Sequence, residues 1–196
     1  METKSSEANW VAAVEAAMEE RGFAGATIEA IAEAAGVSRV TLYRRGLSRE
    51  RLIGMAAAGA ASEFREATLA PLTHAGTGRE RLGLLLEALF DLADDHQALL
   101  AALYDGPTAL FHLGGDEGDS SALTRFEYTE PFARVLRDGI ADGTLKSEDP
   151  DEDAELIFNT AGWTYVHFRR SHGWTARRAR AAVTRIAIAF CCAVPE

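Results

Sequence analysis

Residues 27–53, TIEAIAEAAGVSRVTLYRRGLSRERLI, decide the fold. The Thr27 hydroxyl can accept an orphan amide at a helix start. Ile28, Ile31, Ala32 and Ala35 then recur at helical spacing on one face. Gly36 ends that helix, because glycine takes the left-handed conformation a tight turn needs. Ser38 caps a second short helix, predicted over about 39–45. Ser48, followed by Arg49, Glu50 and Arg51, caps a third, predicted to reach about residue 69. Two short helices across the turn Gly36-Val37-Ser38 make a helix-turn-helix. Val37 and Leu42 face inward, which leaves Arg39, Val40, Thr41, Tyr43, Arg44 and Arg45 outward. That set suits a DNA major groove. Arginine can bond guanine with two parallel hydrogen bonds, and a Val or Thr methyl can pack on a thymine methyl. The hydroxyls of Thr27 and Ser38, with the amides at helix starts, can hold phosphates. Arg49 is placed to reach the flanking backbone.

Outward from this stretch, the chain reads as all-α. A first helix is expected over about 9–20, with Trp10, Val14, Ala17 and Met18 on one face and Arg21-Gly22 as its stop. After a break at 71–78, a long helix over 79–95 turns Leu82, Leu85, Leu86, Leu89 and Phe90 inward. Further helices are expected at 97–104, 130–142, 152–171 and 176–192, and the second half of 105–121, which follows Gly106-Pro107 and holds Gly-Gly-Asp-Glu-Gly-Asp, is expected to be a mobile loop. No segment shows strand-like alternation. The division is an N-terminal three-helix DNA-binding domain, 1–52, and a C-terminal helical ligand-binding and dimerisation domain, 53–196. The two would share the helix after Ser48.

Composition bounds the function. The chain of 196 residues is 47% hydrophobic, enough to bury a sizeable core. No basic segment followed by an apolar run reads as a signal peptide, and no apolar run is long enough to span a membrane. Cys191 and Cys192, the only cysteines, are adjacent and read as small packing residues, so a reducing cytoplasm is expected. The net charge of −10 argues against nucleic acid until its distribution is considered. Residues 39–51 hold five arginines and one glutamate, a local +4, whereas residues 53–196 carry −9.

The residues quoted above carry a resemblance. Thr27-Ile28, Ile31-Ala32, Ala35-Gly36-Val37-Ser38, Thr41-Leu42-Tyr43 and Ser48-Arg49-Glu50 with Leu52 resemble the DNA-binding domain of TetR-family regulators. Ala16-Ala17 and Glu20-Arg21-Gly22-Phe23 match the end of that family's first helix. The resemblance covers about 45 residues; beyond it, only Asp138-Gly139-Ile140, Gly143-Thr144-Leu145 and Asp149-Pro150 echo the family. It implies a homodimer, paired through 152–171 and 176–192, on a near-palindromic operator of double-stranded DNA. It further implies repression relieved by a small-molecule ligand. Two departures stand out. The family usually has an aromatic ring, often Phe, where this chain has Gly46, so either a void is left or the chain turns differently. The N-terminal arm has one lysine, Lys4, and two acids, Glu2 and Glu7, where many relatives carry basic arms. A degenerate relative, sensing a small molecule or pairing with a protein without binding DNA, is the alternative.

The apolar faces of the last two helices, Leu156, Ile157, Phe158, Ala161 and Trp163, then Ala182, Val183, Ile186, Ala189 and Phe190, are read as the dimer interface, with an internal core as the competing reading. Phe90, His96, Phe111, Phe126 and Phe132 read as packed core. Tyr104, Trp163 and His167 are the expected ligand contacts, each having an apolar body and one polar handle. Asp91, Asp95 and His96, like His112, Asp116 and Asp119, read as solvated acidic surface rather than metal sites. Arg177, Arg178, Arg180 and Arg185 read as the exposed face of the last helix. No cofactor motif and no catalytic constellation is present, so an enzyme is not expected.

Overall fold

The computed structural model describes the backbone of residues 2–105 and 120–191, and the side chains of 9–101 and 128–191. The described residues form nine helices in the order α1 (Glu2–Gly25), α2 (Ile28–Ala34), α3 (Arg39–Arg44), α4 (Arg49–Thr73), α5 (Gly78–Asp95), α6 (Gln97–Asp105), α7 (Ser120–Ala141), α8 (Pro150–Arg170) and α9 (Ala176–Cys191). The all-α expectation holds. Tyr104 falls on α6, but its side chain and those of Leu103 and Phe126 lie outside the described residues, as do Phe111, His112, Asp116 and Asp119.

By packing, the chain divides into Met1–Ser62 with His96–Ser121, and Glu63–Asp95 with Ala122–Glu196. This division falls within α4, ten residues beyond the expected boundary at 52/53. In the first unit Val14, Ile31, Leu42, Leu52, Ile53 and Leu99 are fully buried. Trp10, Ala17 and Met18 are buried too, as their spacing on α1 requires. Gly22 leaves helical geometry inside α1, so the expected stop is a break in a longer helix. His96, read both as packed core and as part of an acidic surface, is buried, with Nδ1 2.5 Å from Glu15 Oε1 of α1.

The second unit is built round Phe64, Leu82, Leu85, Leu86, Phe90, Phe132 and Tyr165. Pro71 does not end α4 where expected. The helix runs two residues further because Arg81 caps its end, donating from Nε to the Pro71 carbonyl (3.2 Å) and from Nη2 to the Leu72 carbonyl (2.8 Å). Thr77 and Glu80 then start α5 as a capping box: the Thr77 amide donates to Glu80 Oε2 (2.8 Å), and the Glu80 amide to Thr77 Oγ1 (3.3 Å). Asp149 caps α8 ahead of Pro150, whose missing N–H costs nothing at that position.

Candidate nucleic-acid interface

The interface is built on α2 and α3. Thr27 Oγ1 accepts the Ala30 amide at 3.3 Å, and Ser38 Oγ accepts the Thr41 amide at 3.2 Å, so both predicted caps are in place. Between the helices Gly36 has φ +68°, its amide donating to the Glu33 carbonyl (3.0 Å) and the Val37 amide to the Ala32 carbonyl (2.9 Å). This is the paired-bond termination that a left-handed residue permits. Leu42 is the single buried residue of α3 and anchors it to the unit. The opposite face presents Val40, 58% exposed, and Tyr43, 57% exposed, beside the exposed Arg39, Arg44 and Arg45, with Thr41 half-buried.

The cations on this face are not equivalent. Arg39 Nη1 pairs with Glu29 Oε1 at 3.1 Å, and both side chains are exposed. Hydrogen bonds from its own backbone amide and from Arg39 hold the Glu29 carboxyl below its ordinary pKa. A pair so exposed is screened by water and salt and contributes little, so a phosphate can displace it. The Arg45 guanidinium lies 5.4 Å from the centre of the Trp10 ring. Arg44 has neither ion pair nor hydrogen bond among the described residues, which leaves its five N–H groups for a partner outside the chain.

Arg49 differs from expectation. Its guanidinium turns inward: Nε donates to the Ala26 carbonyl (2.8 Å), Nη2 donates to the Phe23 carbonyl (2.7 Å), and the group lies 4.5 Å from the Phe23 ring centre. Arg49 therefore ties α4 to the α1–α2 turn, adding a second donor to the Phe23 carbonyl, which also accepts the Ala26 amide at 3.3 Å, and a donor to the Ala26 carbonyl. Nothing in its sequence neighbourhood separates that role from a phosphate contact.

Gly46 resolves the first departure. It has φ +68°, its amide donates to the Tyr43 carbonyl (3.0 Å), and the Leu47 amide donates to the Leu42 carbonyl (3.1 Å). The turn carries Leu47 inward, where it is buried beside fully buried Leu42. The chain thus turns differently at Gly46, and Leu47 supplies the apolar contact that accompanies such a cap.

Of the expected ligand contacts, Trp163 is half-buried on α8 and His167 is exposed near its end. Neither lines the two clefts described in the second unit. One, about 590 Å³, lies between α4 and α5, with Ala67, Pro71, Leu84 and Leu92 below and Glu63, Glu87, Asp91 and Asp95 among its walls. The other, about 200 Å³, lies between α8 and α9, with walls from Leu156, Ile157, Val183, Ile186 and Phe190. There Leu156, Ile186 and Phe190 are 48%, 58% and 52% exposed, while Ile157 and Val183 face inward. Each of these helices thus serves both an internal core and an outer apolar face.

One cluster escaped the sequence reading. Asp94 accepts from Tyr165 Oη (2.6 Å), Arg169 Nε (2.9 Å) and Arg180 Nη2 (2.8 Å). Arg180 also meets Glu87 at 2.9 Å and Asp91 at 2.7 Å. Arg180 is thus a clamp joining α9 to α5 rather than part of an exposed face, and Asp91 is paired. Burial pushes the Asp94 carboxyl up, but the three donors outweigh it and hold the carboxyl below its usual pKa. Burial and the bond to Asp94 push the Tyr165 hydroxyl up.

No curated protein sequence matches the chain. The family of bacterial regulatory proteins called tetR matches it over residues 11–53, which contain α2, α3 and the turn between them. Solved structures match nearly its whole length. The ketosteroid transcriptional regulator KstR2 of Mycobacterium tuberculosis superposes with a TM-score of 0.74 at 20% identity, covering 96% of each chain. A tetR-family regulatory protein from Rhodococcus RHA1 gives 0.76 at 19% identity, over 96% of this chain and 98% of its own. The TetR-family regulator PfmR from Thermus thermophilus gives 0.71 at 17% identity, over 92% and 97%. The helix-turn-helix segment thus matches the tetR family of bacterial regulatory proteins over residues 11–53, and the fold is shared over nearly the whole chain with solved tetR-family regulators.

Proposed function

We propose that the chain acts as a homodimeric repressor that occupies a near-palindromic operator and is released when a small molecule binds within residues 53–196. The observation that carries this reading is the outer face of α3. Val40, Tyr43, Arg44 and Arg45 point away from buried Leu42, and Arg44 has no partner of its own among the described residues. In this reading Thr41, Tyr43, Arg44 and Arg45 meet base edges and nearby phosphates, Val40 meets a thymine methyl, and Thr27, Ser38 and Arg39 hold the backbone. Residues 1–52 supply the reading head, in the cytoplasm where the DNA lies. No described helix is long and apolar enough to cross a membrane.

The second copy pairs through α8 and α9. Their outer apolar residues Leu156, Ile186 and Phe190 are costly to leave in water and suit a self-complementary contact. A two-fold dimer then sets two α3 helices about 34–36 Å apart, one turn of B-DNA. Trp163 is kept as a ligand contact for its apolar body and single indole donor.

The test is a Tyr43→Ala/Arg44→Ala double variant, assayed on duplexes that the parent protein enriches from a random pool. Both side chains are exposed, so the melting temperature should stay within a degree or two. Loss of the gel shift with an unchanged melting temperature is expected. Unaltered binding would overturn the assignment of α3.

A further inference from the structure

We propose that the corner between α8 and α9 binds one divalent transition-metal ion through His167 Nε2 and His172 Nε2. The two nitrogens are 3.2 Å apart, and both rings are exposed. Imidazole nitrogens bound to zinc at 2.0–2.1 Å and a tetrahedral angle stand about 3.3 Å from one another. The pair therefore needs almost no movement to close on an ion. A hydrogen bond between the rings uses the same atoms, with one Nε2 donating and the other accepting, and an ion would take the place of that shared proton.

The corner is built to hold this geometry. His167 sits in the last turn of α8, and the Ser171 amide donates back to its carbonyl at 2.8 Å. The Trp174 amide donates to the Phe168 carbonyl at 3.0 Å, and Arg169 Nη1 donates to the Trp174 carbonyl at 2.9 Å. Phe168 stacks on Trp174 with ring centres 4.1 Å apart, and the His172 ring lies 5.2 Å from Phe168. Two exposed imidazoles on a pinned turn lose little freedom on binding, which is the preorganisation that favours a ligand.

The donor set selects the ion. Two imidazoles without a carboxylate suit copper, nickel and zinc, and they offer nothing to magnesium or calcium, which need oxygen ligands. Among the described residues no third His, Cys, Asp or Glu joins the pair, so water fills the remaining positions and the ion exchanges freely. The sequence reading missed the site because His167 and His172 are five residues apart, off the i, i+4 spacing of a helix face. They meet only because α8 ends between them.

The experiment is calorimetric titration of the full-length protein, free of any affinity tag, with nickel, copper, zinc and magnesium salts. One copper, nickel or zinc ion per chain is expected, with copper tightest and magnesium silent. Even loss of a group behind a ligand weakens metal binding by about 10–100-fold, so His167→Ala and His172→Ala should each cost roughly tenfold or more. Both positions are exposed, and an unchanged melting temperature of the apo variants would show that the corner is intact. Absence of saturable binding, binding that survives both substitutions, or equal heats with magnesium would overturn the proposal.

Discussion

Gly46 and Arg49 carry the local argument at the scale of single residues. Gly46 is exposed with φ +68°, and a Cβ there would meet nothing closer than 3.9 Å. The cost of a side chain is therefore conformational rather than steric. Gly46→Ala should lower stability by about 1–2 kcal/mol, read from the midpoint of urea unfolding. Arg49 donates two charge-assisted bonds to backbone carbonyls, so Arg49→Ala should cost roughly 1.5–3 kcal/mol. Exposed Arg44→Ala should stay within about 0.5 kcal/mol in the same denaturation series. The contrast between these arginines lay beyond the sequence, because which cation turns inward depends on where the fold brings carbonyls 23 and 26 residues earlier. The caps at Thr27 and Ser38 were legible, because capping is decided within three residues. Gly46 was half legible: its departure from the family pattern stood out, but its repair by Leu47 depended on the turn.

Helix positions follow from apolar spacing at the scale of elements, and helix ends follow from partners far away in the chain. α5 and α8 begin and end close to expectation because their caps are local. α4 overruns Pro71 because Arg81, ten residues on, caps it. The clamp of α5, α8 and α9 on Asp94 joins residues 71 to 86 positions apart, which no periodicity reveals. It has a pH signature. Asp94 is held below its usual pKa in the folded chain, so its ionised form stabilises the fold above the unfolded value near 3.9. That contribution is lost as pH falls through the folded value. Asp94→Asn should therefore be less stable than the parent at pH 7, with the gap closing below about pH 4 in thermal unfolding followed by circular dichroism. The outer apolar face of α8 and α9 makes a separate prediction. Ile186→Glu places a charge on an exposed position, so the single chain should fold, while a parent dimer at micromolar concentration should sediment as a monomer.

For the whole molecule, charge and symmetry decide. A chain of net charge −10 approaches DNA only through its local basic surface. Arg39 is already paired and Arg49 is turned inward, so that surface is narrower than the arginine count implies. Specific contacts from α3 must outweigh repulsion from the acidic remainder, and a dimer that doubles those contacts meets the requirement. That the two units share α4 was legible, but the point along it where they divide was not, because domain limits follow packing along a continuous helix rather than any break in composition. The most direct measurement is selection of duplexes from a random pool by the full-length protein, with the enriched sequences read for symmetry. The account predicts a near-palindrome whose half-sites are centred about 10 base pairs apart, bound by two chains. An enriched site without two-fold symmetry, or no enrichment at all, would contradict it.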